Sequence, residues 1–265
     1  MTEIEKEILN LIESSILKGN NNIKLFTKTL LTNLKKIISS SNLNINSLIK
    51  EKLSKKNIFF IRHAESLHNV LEEKFDGDFS KCNVYDPELT ENGIKQTNYT
   101  IKKLEKEKIN FDCVFISPLK RAIQTYFLVK NSLNKNINIF ITDFVREVVS
   151  YCDKNKGKKL SKLKEEFEGK NFNFNYMTKE FWWFDLGLDK KDELESKLNF
   201  NLRLRLFILW IIFREEKNIL IISHSHVFCQ MQDKGIYNAD LQKMDNIILY
   251  KKIVELININ PENLE

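Results

Sequence analysis

Apolar residues recur every four positions at the start of the chain. Ile4, Ile8, Ile12 and Ile16 share one helical face, and Thr2 with Glu5 fits a capping box, so the spacing predicts a helix. The run Asn20-Asn21-Asn22 breaks the pattern. A second helical period passes through Ile23, Phe26, Leu30, Leu34 and Ile37, and a third, weaker one through Ile45, Leu48 and Leu53. Residues 1–55 read as a helical N-terminal extension with no catalytic residue types arranged in it. Two readings of its apolar stripes stay open: a packed cover on the main domain, or a surface for a dimer or a partner helix.

From Asn57 the texture changes to short apolar runs alternating with helical stretches. Ile58-Phe59-Phe60-Ile61 is a buried-strand run, and so are Cys113-Val114-Phe115-Ile116, residues 137–141 and Ile219-Leu220-Ile221-Ile222. A final strand is expected over 247–254. Between the first two runs, Thr90 can cap a helix carrying Ile94, Ile101 and Leu104. After the second, Ser117-Pro118 supplies an N-cap and a Pro for the first helical position. The apolar stretch 206–213 is far shorter than the ~20 residues of a membrane span and reads as a buried helix. Strands alternating with helices indicate an α/β domain with a mostly parallel sheet over 56–265. Residues 154–201, rich in Lys, Phe and Trp, have the texture of an insertion.

Composition bounds the class without naming a function. The 265 residues are 42% hydrophobic and 29% charged, enough apolar material for a full core. With 7 Gly and 3 Pro, a string of flexibly linked modules is excluded. The formal charge of +6 comes from Lys scattered along the chain. The densest patch, 154–170, also carries Glu165, Glu166 and Glu168, so it reads as a solvated face rather than a nucleic-acid site. A mildly positive surface still attracts anionic small molecules. Cys82, Cys113, Cys152 and Cys229 show no CxxC spacing, so reduced thiols in a cytoplasmic protein are expected. The first residues, Met1-Thr2-Glu3-Ile4-Glu5, carry neither a basic stretch nor a Gly at position 2. Neither a signal peptide nor a myristoyl anchor is expected from them.

The chemistry gathers where strands end. In open parallel sheets, sites form beyond the carboxyl ends of the strands. All four histidines fall at such places, His63 and His68 after the first strand run, His224 and His226 after the fourth. Arg62, Arg121 and Arg146 stand in equivalent positions. Forked guanidinium groups suit phosphate oxygens, and helix N-termini add backbone donors, so the set reads as a phosphate clamp. Flanking cations depress the pKa of His63, keeping it neutral and nucleophilic. Glu147 is the carboxylate placed with the clamp. A bound phosphate dianion raises its pKa and makes it a usable proton donor.

These residues resemble a family. Arg62-His63-Ala64-Glu65-Ser66 with Asn69 is similar to the signature of the histidine phosphatase superfamily, the phosphoglycerate mutase-like proteins. The resemblance continues in order through Asp86-Pro87-Glu88-Leu89-Thr90 with Gly93 and Gln96. It then takes in Ser117-Pro118-Leu119 with Arg121-Ala122 and Gln124-Thr125, Arg146-Glu147, and Ser223-His224. It spans roughly residues 57 to 257. It implies that His63 is the nucleophile and forms a phosphohistidine. Arg62, Arg121 and His224 would hold the phosphoryl oxygens with no metal or other cofactor, and Glu147 would act as general acid and base. Asn69, Ser66, Ser225 and His226 are expected around the substrate, while Glu65 positions its neighbours.

Departures from the family pattern carry information. The acid phosphatase and phytase branch places its acid, an Asp, directly after the second His. Ser225 stands there, which leaves Glu147 as the acid. Cofactor-dependent mutases have an Arg-His-Tyr-Gly-like segment after their acid. This chain reads Arg146-Glu147-Val148-Val149-Ser150-Tyr151-Cys152-Asp153, which favours hydrolysis over transfer. The Tyr-Cys-Asp run, the Trp-containing insertion and the Trp210 helix more loosely resemble plant-type phosphoglycerate mutase-like phosphatases.

Three local readings stay open. His224-x-His226 could be a pair of metal ligands on one strand face, although no further ligands accompany them. His226 either lines the pocket or makes a local hydrogen bond. Phe181, Trp182, Trp183 and Phe184 form either an aromatic wall for substrate or core packing. The expectation is therefore a three-layer α/β/α sandwich with a mostly parallel central sheet, plus the N-terminal helices. Its substrate would be a phosphorylated small molecule or a phosphoprotein. Neither nucleic acid nor membrane is expected as a partner, and the N-terminal helices could join two copies of the chain.

Overall fold

The computed structural model describes residues 1–18, 22–78, 81–135, 137–149, 153–177, 179–183 and 195–264. Three helices open the chain, α1 (Glu3–Leu17), α2 (Ile23–Ser41) and α3 (Ile45–Ser54). The capping box closes the start of α1: Thr2 Oγ1 accepts from Glu5 N at 3.3 Å, and Glu5 Oε2 accepts from Thr2 N at 2.7 Å. Asn22, the last of the Asn run, caps α2 through its side-chain oxygen. Asn20 and Asn21 lie outside the described residues.

The order continues with β1 (Asn57–Arg62), α4 (Leu67–Lys74), α5 (Glu91–Glu107), β2 (Cys113–Ile116), α6 (Lys120–Val129) and β3 (Asn138–Ile141). It closes with α7 (Leu160–Glu166), β4 (Phe172–Asn173), α8 (Lys197–Phe213), β5 (Asn218–Ser223), α9 (Ser225–Gln232), β6 (Leu241–Lys243) and α10 (Asn246–Ile257). The strands form one sheet in the order β4-β3-β2-β5-β1-β6. Every pairing is parallel except that of the edge strand β6, which runs antiparallel to β1.

Both faces of the central strands are covered, which is why their sequences are continuously apolar rather than alternating. Ile58, Phe60, Cys113, Phe115, Ile219 and Ile221 point to the side that carries α1, α2, α3, α8, α9 and α10. Phe59, Ile61, Val114, Ile116, Leu220 and Ile222 point to the other, against α5, α6 and α7. The result is a three-layer α/β/α sandwich. α8 is apolar all round because it lies between the sheet and the N-terminal helices.

The buried residues Ile8, Ile12, Ile16, Leu30 and Leu34 belong to the same core as Ile58 and Phe60. Polar links fix that docking. Glu13 of α1 accepts from Trp210 Nε1 at 3.1 Å and from Arg214 Nη1 at 2.9 Å, and Lys52 pairs with Glu5 at 2.8 Å. The apolar stripes of the extension are thus used within the chain, as a packed cover.

Two local expectations are corrected. Residues 247–254 form part of α10, not a strand. Asp245 caps that helix, and only Leu249, Ile253, Leu256 and Ile257, at helical spacing, are buried. The adjacent Ile247 is 67% exposed, so the apolar run is not buried on alternating faces as a strand would require. α6 starts at Lys120 rather than at Pro118, and Ser117 does not cap it. Its cap comes from a distant part of the chain: Asp86 Oδ1 accepts from Lys120 N at 2.9 Å. Among the described residues, no helix is long and apolar enough to cross a membrane.

Candidate active site

In this topology the carboxyl ends of β1, β2 and β5 lie side by side, and each is followed by a helix whose N-terminus faces the same region. His63 follows β1, Arg121 lies in the first turn of α6, and His224 joins β5 to α9. All three are nearly or fully buried. The His63 and His224 rings have centroids 5.1 Å apart, and Arg121 Nε reaches His63 Nε2 at 3.3 Å.

The tautomer of His63 follows from its neighbours. Nδ1 lies 2.7 Å from the Ala64 carbonyl oxygen, which can only accept, so Nδ1 carries the proton. The lone pair therefore sits on Nε2, facing Arg121. Burial, reinforced by the charge of Arg121, pushes the His63 pKa well below the ordinary imidazole value, so this lone pair is available at neutral pH. His224 is held neutral by the same causes. Its Nε2 shares a 2.7 Å hydrogen bond with Ser117 Oγ, while its buried Nδ1 has no protein partner.

Arg121 is aimed by the chain around it. Nη1 donates to the Lys154 carbonyl and Nη2 to Asn155 Oδ1, both at 2.8 Å. With Nε on His63, three of its five N–H groups are used and two remain. Arg62 donates from Nη1 to the Ile236 carbonyl at 3.0 Å, and its buried Nε has no partner. Both guanidiniums thus keep donors for an anion.

Glu147 is 7% exposed and sits over the N-terminus of α9. Oε1 accepts from Val148 N at 2.9 Å and Oε2 from His226 N at 3.4 Å. Burial alone would raise its pKa, but the His226 side chain, 3.3 Å from Oε2, holds it below the usual carboxylate value. Ser225 is half-buried in the first turn of α9, and the His226 side chain is 71% exposed.

Ser66 and Asn69 build the start of α4 beneath His63. Asn69 Oδ1 accepts from Ser66 N and Ser66 Oγ, both at 3.1 Å, and from Asn238 Nδ2 at 3.3 Å. His68 closes this network through Ser66 Oγ at 2.7 Å and Asn69 Nδ2 at 3.2 Å. Its ring lies 5.7 Å from that of His63, and burial drives its pKa to about 2. Glu65 turns away to the start of α5, accepting from Thr90 Oγ1 at 2.5 Å and from Asn92 Nδ2 at 2.9 Å. A Cβ at Gly93 would collide with the Glu65 carbonyl, so glycine is needed at that close approach.

The sequence matches the description of the histidine phosphatase superfamily (branch 1) over residues 58–263. The chain belongs to this superfamily. Among its relatives, a 2,3-bisphosphoglycerate-dependent phosphoglycerate mutase of Buchnera aphidicola subsp. Cinara cedri is 36% identical over 83 residues. That match covers 31% of this chain and 33% of the mutase, so the chain spans about a third of the relative's length. Phosphoglycerate mutase-like protein 1 of Arabidopsis thaliana is 24% identical over 198 residues, 64% of this chain and 68% of that protein. The alpha-ribazole phosphatase of Shigella flexneri, a solved structure, is 21% identical, with 71% of this chain and 90% of that chain covered and a TM-score of 0.47.

In this histidine phosphatase superfamily member, Arg146 is not part of the clamp. Its Nη2 donates to Glu195 Oε1 at 3.0 Å, and Arg203 holds the same carboxylate with Nε at 2.8 Å and Nη2 at 2.7 Å. A buried ion triad therefore consumes the third arginine of the sequence pattern. His224 and His226 stand in different surroundings. One is fully buried and the other faces solvent beside Glu147, and no cluster of three candidate ligands exists among the described residues.

Trp182 and Trp183 are core residues, 0% and 5% exposed on the α5–α6–α7 side of the sheet. Phe181 is 40% exposed, and Phe184 lies outside the described residues, as do Ser150, Tyr151 and Cys152. Asn155 and Asn238 are missing from the residues singled out in the sequence. The first aims Arg121, and the second donates to the His63 carbonyl at 3.0 Å. Both are asparagines in an asparagine-rich chain, so residue type alone carried no signal.

Proposed function

We propose that this chain hydrolyses phosphomonoesters through a phosphohistidine on His63, without a metal ion. The reading rests above all on the His63 tautomer: a neutral imidazole whose Nε2 lone pair points at an arginine and lies beside a second neutral imidazole. In the first step the P–Nε2 bond forms as the P–O bond to the alcohol breaks, and Glu147 gives a proton to the departing oxygen. In the second, Glu147 takes a proton from the water that attacks phosphorus, and Nε2 regains its lone pair. Arg62, Arg121 and the free Nδ1 edge of His224 supply donors to the phosphoryl oxygens, where charge builds in the transition state.

Phosphoryl transfer between phosphoglycerates is the second reading, favoured by the names of the bacterial and plant relatives. The segment after Glu147 supports hydrolysis instead, because a mutase must retain and reorient its phosphorylated intermediate. The deciding experiment measures phosphate release from a panel of sugar phosphates, nucleotides, glycolytic acids and phosphopeptides against interconversion of 2- and 3-phosphoglycerate, with and without EDTA. Phosphate release that survives EDTA is expected. Interconversion that outpaces release would make the chain a mutase, and loss of activity with EDTA would overturn the metal-free mechanism.

A further inference from the structure

Glu147 is buried and its ionised form is favoured by its neighbours, yet an acid must carry a proton when the leaving oxygen departs. His226 stands where that proton can be held in the meantime. Its Nδ1 lies 3.3 Å from Glu147 Oε2, and its side chain is 71% exposed while that of Glu147 is 9% exposed. Both contacts of His226 fall on the same carboxylate oxygen, the side chain from outside and the backbone N–H from the helix start. Glu147 Oε1 is meanwhile held by Val148 N.

We propose that Glu147 and His226 share the catalytic proton, with His226 as a positioning and relay residue that holds it whenever the buried carboxyl is ionised. The proposal rests on the phosphohistidine reading above. In the resting pair the imidazole holds the proton and Glu147 is ionised. Binding of a phosphate dianion disfavours the carboxylate, and the Nδ1 proton passes to Oε2, leaving a neutral Nε2–H imidazole. Glu147 then protonates the leaving oxygen. The proton it takes from the attacking water returns to Nδ1, so the pair ends as it began.

The surrounding charges are compatible with this exchange. Glu147 raises the His226 pKa above the ordinary imidazole value. Lys154 opposes the imidazolium and Glu72 favours it, and those two are paired with each other, so their influences on His226 largely cancel. Behind Glu147 lie Arg121 and Arg62, both of which favour its ionised form until an anion binds between them. The carboxyl becomes a donor only when phosphate is present.

The test is the pH dependence of kcat/KM for glycerol 2-phosphate and for p-nitrophenyl phosphate, with His226→Asn and His226→Ala beside the native chain. Asparagine retains a donor near the Nδ1 position but no titratable proton. The basic limb of kcat/KM reports loss of the proton from the free enzyme. For H226N it is expected to move about one pH unit or more to lower pH with the alkyl ester, with a loss of about tenfold or more near pH 8. With the aryl ester, whose leaving group scarcely needs protonation, the loss near pH 8 is expected to be several-fold smaller than with the alkyl ester. Superimposable profiles for H226N and the native chain overturn the relay, as does an equal loss on both esters without a shift. If the native chain releases phosphate from neither ester, the phosphatase reading itself fails, which is a separate result from an unshifted profile.

Discussion

The imidazole rings of His63 and His224 lie 5.1 Å apart with their planes inclined by 57°, each at the end of one of two paired parallel strands. Backbone pairing brings them there: Arg62 and Ser223 are register partners, and His63 N donates to the Ser223 carbonyl at 2.8 Å. A tetrahedral anion beside His63 Nε2 would have the second ring and Arg121 as immediate neighbours. The sheet register therefore sets the separation of the two rings.

Replacing His63 by Ala should abolish hydrolysis of p-nitrophenyl phosphate, with a loss of about a thousandfold or more, because the remaining groups bind phosphate without a nucleophile. Rapid acid quench of the native chain with labelled substrate should trap protein-bound phosphate that H63A lacks. Turnover of H63A within about tenfold of the native chain would remove His63 from the nucleophile role.

Asn155 aims the Arg121 guanidinium and is itself tied to the Val148 carbonyl at 2.7 Å. Asn155→Ala should lower kcat/KM by about tenfold while costing about 2–4 kcal/mol of stability in urea unfolding, the loss expected for two hydrogen bonds of which one is to a charged group. Full activity in N155A would mean that the Lys154 carbonyl and His63 suffice to hold Arg121.

Glu195 is shared by Arg146 and Arg203, and its side chain is 1% exposed. Glu195→Gln removes the carboxylate that pairs with two buried guanidiniums and should destabilise the fold by about 3–5 kcal/mol. Much of that loss should return when Arg146 and Arg203 are both replaced by Met in the same chain, since the uncompensated charges are then gone. Urea unfolding checks both. A change in E195Q below about 1 kcal/mol would show that the triad is solvated in solution.

Asp86 caps α6 from inside the protein with a backbone φ of 37°, and burial pushes its pKa up from 3.8 to about 6. A carboxyl raised in this way favours folding in its neutral form. That contribution is complete below 3.8 and is lost as the pH rises through about 6. Asp86→Asn keeps an oxygen for Lys120 N and removes the titration. Its stability relative to the native chain should improve by roughly 3 kcal/mol between about pH 4 and about pH 8. A difference independent of pH, read from urea unfolding at both values, would contradict the buried-carboxyl assignment.

Much of the fold could be read along the chain because burial imposes a local period. Ile8, Ile12 and Ile16 repeat on one helical face, and Phe59 with Ile61 and Ile58 with Phe60 fill opposite faces of one strand. The short edge strands β4 and β6 left no such trace. Two or three residues long and only partly apolar, they are strands because a neighbour offers hydrogen bonds. The α10 helix was misread as a strand for a related reason. Its first residues form an unbroken apolar run, and only packing decides that Ile247 faces water while Leu249 does not.

Residue order by itself determined the nucleophile, the second histidine, Arg62 and Arg121 as candidates, because each follows a strand or opens a helix and those elements end at one edge of a parallel sheet. Only the tertiary structure decided what each charged group does with its neighbours. Arg146 and Glu147 are adjacent in sequence, yet one is taken up by Glu195 in the core and the other sits over the start of α9 with His226. Periodicity is set by contacts a few residues apart, whereas an ion pair or a cap such as Asp86 on α6 needs two distant segments to meet, and no local pattern encodes that distance.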